Sequence, residues 1–281
     1  MAANYSAEWV ASFFDRYGVS EWERMVKTPV DEVSLHIHAY YLTQMVTPGA
    51  RVLEVGAGAG RFTQILAQIS TRVLVVDISQ VQLDLNRAYA QQFGFADAVE
   101  NWRRLDMCHM DELESASFDC VVAYGGPFSY ALDQRTTALK ECVRLIRPGG
   151  LLFASVISLW GTAHERLQGV MAIPAEQNRR ILASGDVLPG SFEAAKHFMH
   201  MFRAAEFQDF LRDGGLTIEA ISSSGTVSVN WGNLLSEYRQ DSEKWNMLLG
   251  IELEASAEPG SWNAGTHLIG VARKPHETQC Q

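Results

Sequence analysis

The sequence predicts an α/β fold, a doubly wound, seven-stranded and mostly parallel sheet with N-terminal helices and two cover insertions. Three observations carry this. Short, continuous apolar runs recur along the chain with amphipathic helical stretches between them, the pattern of parallel strands buried on both faces. The first run opens directly into a glycine-rich turn and a helix. The segments before the first run and after the fifth lack that alternation and are left to cover the sheet.

Taken in order, Ser6 caps a first helix in which Trp9, Val10, Phe13, Phe14 and Tyr17 recur at helical spacing. A second helix runs from about Glu32 to Met45 and ends at Pro48-Gly49. Val52–Val55 is a buried strand, Arg61–Ile69 a helix and Val73–Val76 a second buried strand. Ser79 caps a helix reaching Phe93, and a weaker strand follows near Val99–Leu105. Cys120–Ala123 is the fourth strand. Thr136–Ile146 is a helix, and Pro148-Gly149-Gly150 turns the chain into the fifth strand, Leu151–Ile157. An insertion, 158–203, shows no clear strand. The helix Ala205–Arg212 leads to two last strands, Leu216–Ile221 and Leu268–Ala272, around a second, helical insertion at 223–263. The chain therefore divides into a helical cover (1–48), a sheet core (49–157), a lid (158–203) and the remainder of the sheet (204–275).

The chain has 281 residues, 47% hydrophobic and 20% charged, so a core can form without disulfides. Its net charge of -10 and the lack of any basic run disfavour nucleic acid and anionic membranes as partners. The 4 cysteines have no metal-ligand spacing, which leaves metal sites unsupported and suits a reducing cytoplasm. The N-terminus has no basic stretch of a secretory signal, and no apolar run is long enough to span a bilayer. A cytoplasmic monomer or homodimer is the expectation.

The most specific signal is Val52-Leu53-Glu54-Val55-Gly56-Ala57-Gly58-Ala59-Gly60-Arg61. Glycines allow positive φ and let a ligand approach the backbone. A dinucleotide fingerprint places its third glycine at position 61. Here position 61 is Arg and the glycine comes one residue early, which argues against a nicotinamide oxidoreductase. Glu54, two residues before the first glycine, suits a ligand with a cationic end better than a pyrophosphate.

This stretch resembles motif I of the class I S-adenosylmethionine (SAM)-dependent methyltransferases, and further motifs follow in that family's order over about Arg51–Ile157. Asp77 resembles the acid that binds the ribose, and Leu105-Asp106-Met107 the pair that holds adenine. Phe118–Val122 and Arg144–Gly150 resemble its fourth and fifth motifs. The resemblance implies a Rossmann-like fold and S-adenosyl-L-methionine as cofactor. The residues it implies for cofactor binding are Glu54, Gly56, Ala57, Gly58 and Gly60 in the turn, Asp77 with Ile78, Asp106 with Met107, and Tyr124.

Methyl transfer from a sulfonium is an in-line displacement that needs alignment and exclusion of water, and a base where the nucleophile must lose a proton. His200, His197 and His36 are the candidate bases, each with an ordinary packing or surface role as its alternative. Tyr124-Gly125-Gly126-Pro127-Phe128 stands where methyltransferases of nucleobase amines or glutamine amides carry Asn/Asp-Pro-Pro-Tyr/Phe. With aromatics concentrated in the covers, the expected acceptor is a small organic molecule methylated on O, N or S. The alternatives are a non-methylating activity on the same fold, such as cyclisation or decarboxylation, and a non-catalytic interaction module. An intact Glu54, Gly56, Gly58, Gly60 and Asp77 set argues against the last.

Overall fold

The computed structural model describes residues 4–188 and 198–276. The chain enters through α1 (Ala7–Tyr17), α2 (Ser20–Glu23) and α3 (Pro29–Met45). Ser6 caps α1 by accepting the Trp9 amide. Thr28 and Asp31 form a reciprocal capping box on α3, and Pro29 occupies its first turn, where a missing N–H costs nothing. The core follows as β1 (Arg51–Val55), α4 (Arg61–Gln68), β2 (Arg72–Asp77), α5 (Gln80–Gln92), β3 (Val99–Arg104), β4 (Phe118–Ala123), α6 (Pro127–Tyr130), α7 (Arg135–Leu145) and β5 (Ile146–Ile157). Next come α8 (Leu159–Glu165), α9 (Leu167–Ala172), α10 (Ala175–Ser184), β6 (Asp186–Val187) and β7 (Met199–His200). The chain then completes the sheet with α11 (Ala204–Asp213), β8 (Thr217–Ser223), α12 (Gly232–Tyr238), α13 (Ser242–Ala257) and β9 (His267–Arg273).

The 7-stranded sheet has the order β3-β2-β1-β4-β5-β9-β8. β1 to β5 are parallel, and β9 runs antiparallel between β5 and β8. Alternation along each strand feeds two cores. On β1, Leu53 and Val55 pack with Val121 and Leu152 on one face, and Val52 packs with Val73, Cys120 and Phe153 on the other. β3 is an edge strand with half its residues exposed, which is why its apolar signal is weak. The strand order reverses between β1 and β4, and this switch point brings the turns after both strands side by side.

Two expectations need correction. The insertion 158–203 does contain strand: β6 and β7 pair antiparallel, Asp186 with His200 and Val187 with Met199. Two-residue strands are too short for a period-2 pattern to register. The fifth strand begins at Ile146 rather than Leu151, because Ile146 pairs with Phe118 across a register shift that absorbs the Pro148-Gly149 turn.

The insertion is anchored where α8 meets the loop before β9. A Cβ on Gly161 would lie 1.6 Å from the Gly265 carbonyl oxygen, so the two backbones are in direct contact. Gly161→Ala must push α8 off that loop. Overpacking of this kind costs about 1–3 kcal/mol, and a Tm lowered by on the order of 5 °C is expected in a calorimetric melt. An unchanged Tm would show that α8 is not seated there.

Candidate active site

The turn after β1 holds Gly56, Gly58 and Gly60 at φ of +64°, +54° and +100°. A different element closes on each. A Cβ at Gly56 would lie 2.7 Å from Pro127 Cγ on α6, one at Gly58 2.9 Å from Glu21 Cγ on α2, and one at Gly60 2.8 Å from Asn86 Nδ2 on α5. The turn is fastened by Asp77 at the end of β2. One carboxylate oxygen accepts the Gly58 amide and the other the Ser79 amide, both at 2.8 Å. Burial pushes Asp77 up to about 6, against those two bonds.

A cleft runs along this edge, walled by Gly56, Gly58, Asp77, Ile78, Leu105, Met107 and Tyr124 from the sheet core. From the N-terminal cover come Tyr5, Val10, Phe14, Glu21 and Arg24. Six of the expected cofactor residues therefore converge: Gly56, Gly58, Asp77, Ile78, Met107 and Tyr124. Glu54, Ala57, Gly60 and Asp106 lie outside the cleft wall. Glu54 is buried behind the turn, where one oxygen accepts the Thr63 hydroxyl at 2.6 Å and the other has no partner. Burial holds it up at about 8. Asp106 takes the Tyr5 hydroxyl at 2.9 Å and its own loop's Cys108 amide at 2.8 Å.

The donor set fits a sulfonium nucleoside. Each Asp77 oxygen keeps a lone pair for a ribose hydroxyl, and Ile78, Leu105 and Met107 offer an apolar slot for a base. Arg24 donates Nε to Glu21 at 2.7 Å and Nη1 to Met25 Sδ, while its Nη2 points at the turn after β4, beside Gly125. The cleft itself is narrow, about 70 Å³. That is room for a handful of waters.

A family described as "Methyltransferase domain" matches residues 53–154. A ubiquinone biosynthesis O-methyltransferase of Xanthomonas euvesicatoria pv. vesicatoria is 25% identical over 194 residues, 69% of this chain and 73% of that protein. The domain match and this relative support a class I SAM-dependent methyltransferase. Among solved structures, the [4+2]-cyclase SpnF superposes with a TM-score of 0.61 at 16% identity, over 98% of this chain and 100% of that one. The Burkholderia thailandensis 1,6-didemethyltoxoflavin-N1-methyltransferase, bound to its substrate and S-adenosylhomocysteine, gives 0.60 at 18% identity over 98% and 93%. No helix among the described residues of this chain is long and apolar enough to cross a membrane.

Beside the cleft lies a chamber of about 400 Å³. Its walls come from α1 (Phe13, Phe14, Tyr17), α2 and α3 (Glu21, Asp31, Val33), α8 (Thr162, Glu165) and the loops at Ser224–Val229 and Gly265–His267. Phe14, Glu21, Arg24, Gly125 and Tyr130 belong to both spaces and form the partition between them. Glu21, Tyr130 and His267 carry no motif that would mark them in the sequence, and Arg24 lies far from the glycine turn in the chain.

The histidines singled out from sequence lie elsewhere. His197 is outside the described residues. His36 is half-buried on α3 and lines neither space. His200 is buried on β7 and lines neither space. Its Nδ1 is 2.8 Å from Asp186 and its Nε2 2.7 Å from Glu206, so both ring nitrogens are engaged in a structural network.

Two expected outcomes follow from these placements. Burial disfavours a charge on His200, but the bonds to Asp186 and Glu206 outweigh it and raise the histidine above its ordinary value of 6.5. Glu206 is correspondingly held below its usual 4.5. The histidine's contribution to stability is complete below about 6.5 and is lost as pH rises through its raised folded value. That of Glu206 is lost as pH falls below its usual range. His200→Gln should therefore lower Tm more at pH 6 than at pH 9; equal losses would mean an uncharged network. Asp77→Ala removes the ribose acceptor and both bonds that fasten the turn. SAM affinity measured by calorimetry should fall by roughly 2–4 kcal/mol, about thirty-fold to a thousand-fold, and a change under about threefold would place the ribose elsewhere.

Proposed function

We propose that this methyltransferase moves a methyl group from SAM to an oxygen, nitrogen or sulfur of a small organic molecule held in the chamber beside the cofactor cleft. One observation carries the reading: two spaces, one with nucleoside-binding chemistry and one lined by aromatics, share a wall at the carboxyl edge of the sheet. The chamber's size suits a small ligand, for which pockets run from about 300 to 1,000 Å³. The net charge of -10 and the lack of a basic run argue against a nucleic-acid acceptor.

Bound SAM supplies an activated methyl on a positively charged sulfur, and its leaving group is neutral. The protein's part is to align and to exclude water. Arg24 is placed to take the cofactor's carboxylate with its free Nη2, and Asp77 to take the ribose. Phe14 and Tyr130 in the partition keep water from the reacting centre. The N-terminal cover 1–48 and the insertion 158–203 serve as the lid. The neighbouring turn after β4, Tyr124-Gly125-Gly126-Pro127, presents backbone to both spaces. A second reading, a SAM-binding protein that does not transfer the methyl, finds support in the fold shared with SpnF.

Calorimetry with metal-free protein should detect SAM and S-adenosylhomocysteine at sub-millimolar concentration. Labelled SAM with a panel of small phenols, amines and thiols should give S-adenosylhomocysteine in step with methylated product. Product without S-adenosylhomocysteine would support the second reading, and no binding heat would overturn both. Arg24→Gln should weaken SAM at least about tenfold, as expected for a lost charge-assisted pair. The decarboxylated analogue should bind both forms equally, and an equal loss for it would remove Arg24 from the carboxylate.

A further inference from the structure

Among the described residues, one imidazole faces the acceptor chamber: His267, the first residue of β9. Its backbone N–H donates to Ser224 Oγ at 3.0 Å, and its Nδ1 is 3.3 Å from Thr266 Oγ1. Behind it stands His38 of α3, edge-on, with ring centroids 6.1 Å apart. His38 Nδ1 is 2.8 Å from the Ser34 carbonyl, an acceptor, so Nδ1 carries the proton and Nε2 the lone pair. That Nε2 is buried without a partner. Tyr124 packs edge-on against His38 at 4.9 Å, and its hydroxyl is also buried without a partner. A buried, unsatisfied polar atom costs about 1–3 kcal/mol. Two of them behind one chamber wall call for a reason beyond packing, which apolar side chains would do at lower cost.

We propose that His267 is the catalytic base of the acceptor chamber, taking the proton of an acidic hydroxyl such as a phenol or enol, with His38 as the positioning residue behind it. The inference rests on the methyl-transfer reading. The groups that face His267 are His38 and Arg24, both of which oppose a charge on it, and no carboxylate is among its hydrogen-bond partners. Burial, with those two groups, holds His267 well below the ordinary histidine value, and burial holds His38 down at about 4. The ring is thus in its base form throughout the neutral range. A base whose conjugate acid forms so reluctantly matches an acceptor that parts easily with its proton, which favours phenols and enols over aliphatic alcohols and ammonium groups. Phe13 and Tyr17, stacked at 6.0 Å in the chamber wall, suit a planar ring. In the step, the acceptor's O–H bond breaks and its proton bonds to a His267 ring nitrogen. The oxygen's electron pair takes the methyl while sulfur keeps the pair of the broken C–S bond. The imidazolium then returns its proton to solvent.

The probe is 4-nitrophenol with the full chain. The S-adenosylhomocysteine complex should bind it in calorimetry. The His267 imidazole resonances of nitrogen-15-labelled protein should shift on its addition, and labelled SAM should convert it to 4-nitroanisole. His267→Asn should lower kcat about a hundredfold with KM and S-adenosylhomocysteine affinity nearly unchanged, and added imidazole should restore part of the rate to His267→Ala. His38→Asn removes one of the groups that oppose protonation, so the acid limb of kcat/KM should move to higher pH. A His267→Asn enzyme at the parental rate, unshifted imidazole resonances, or a cofactor-loaded parent that neither binds nor methylates 4-nitrophenol each overturns the proposal. If the variants do not fold, the resonance shift in the parent decides alone. Failure to bind S-adenosylhomocysteine at all would instead sink the methyl-transfer reading beneath it.

Discussion

Asp77 ends β2 with its carboxylate buried and each oxygen 2.8 Å from a backbone amide, one from Gly58 and one from Ser79. Much of the site depends on this pair of bonds. The first holds the glycine turn of β1 against the end of β2. The second sets the start of α5, whose cap Ser79 then accepts the Gln82 amide. Taking a carboxylate out of water is expensive, and its raised value of about 6 reflects that cost even with both amides in place. Charge-assisted bonds to fixed amides are the usual compensation. They leave free lone pairs directed to the cleft, so one side chain both fastens the turn and faces the cofactor space.

Around that point the cover is assembled by contacts that only small residues permit. Glu21 reaches the turn because position 58 has no Cβ, and Arg24 reaches the turn after β4 because position 125 has none. Arg61, the residue that breaks the dinucleotide pattern, donates to the Trp22 carbonyl at 2.7 Å and lies 3.7 Å over the Trp22 ring. Trp22 in turn stacks on Phe93 at the end of α5. The short helix α2 is thereby held against α4 and the end of α5 through Trp22.

The chamber shows a second use of buried polarity. Its acids are engaged close to home: Glu21 with Arg24, Glu165 with Arg166, and Asp31 with its own helix cap. Its imidazole has no acid. A histidine bound to carboxylates is drawn toward its charged form, as His200 is, whereas one set among aromatics and beside a guanidinium stays neutral. The two histidines have opposite electrostatic settings in one fold.

The sequence by itself determined the sheet core. Val52–Val55, Val73–Val76 and Cys120–Ala123 are apolar on both faces, and such runs have no stable place except the middle of a covered parallel sheet. It also determined the cofactor turn, since the positive φ at Gly56, Gly58 and Gly60 leaves little choice of residue. Asp77 was legible because it ends a strand at a fixed distance from that turn. Glu54 was legible as an unusual acid but not as one facing away from the cleft, because strand alternation fixes a face and not what occupies it. Only the tertiary structure decided the acceptor side. Arg24, His38 and His267 come from the two ends of the chain, and no spacing rule relates them. Their meeting follows from the strand order, which inserts β9 between β5 and β8, and from α3 packing on the same face of the sheet. His200 failed as a base for the same reason: its partners, Asp186 and Glu206, are fixed by the β6–β7 pairing and the start of α11, neither of which a local pattern reveals.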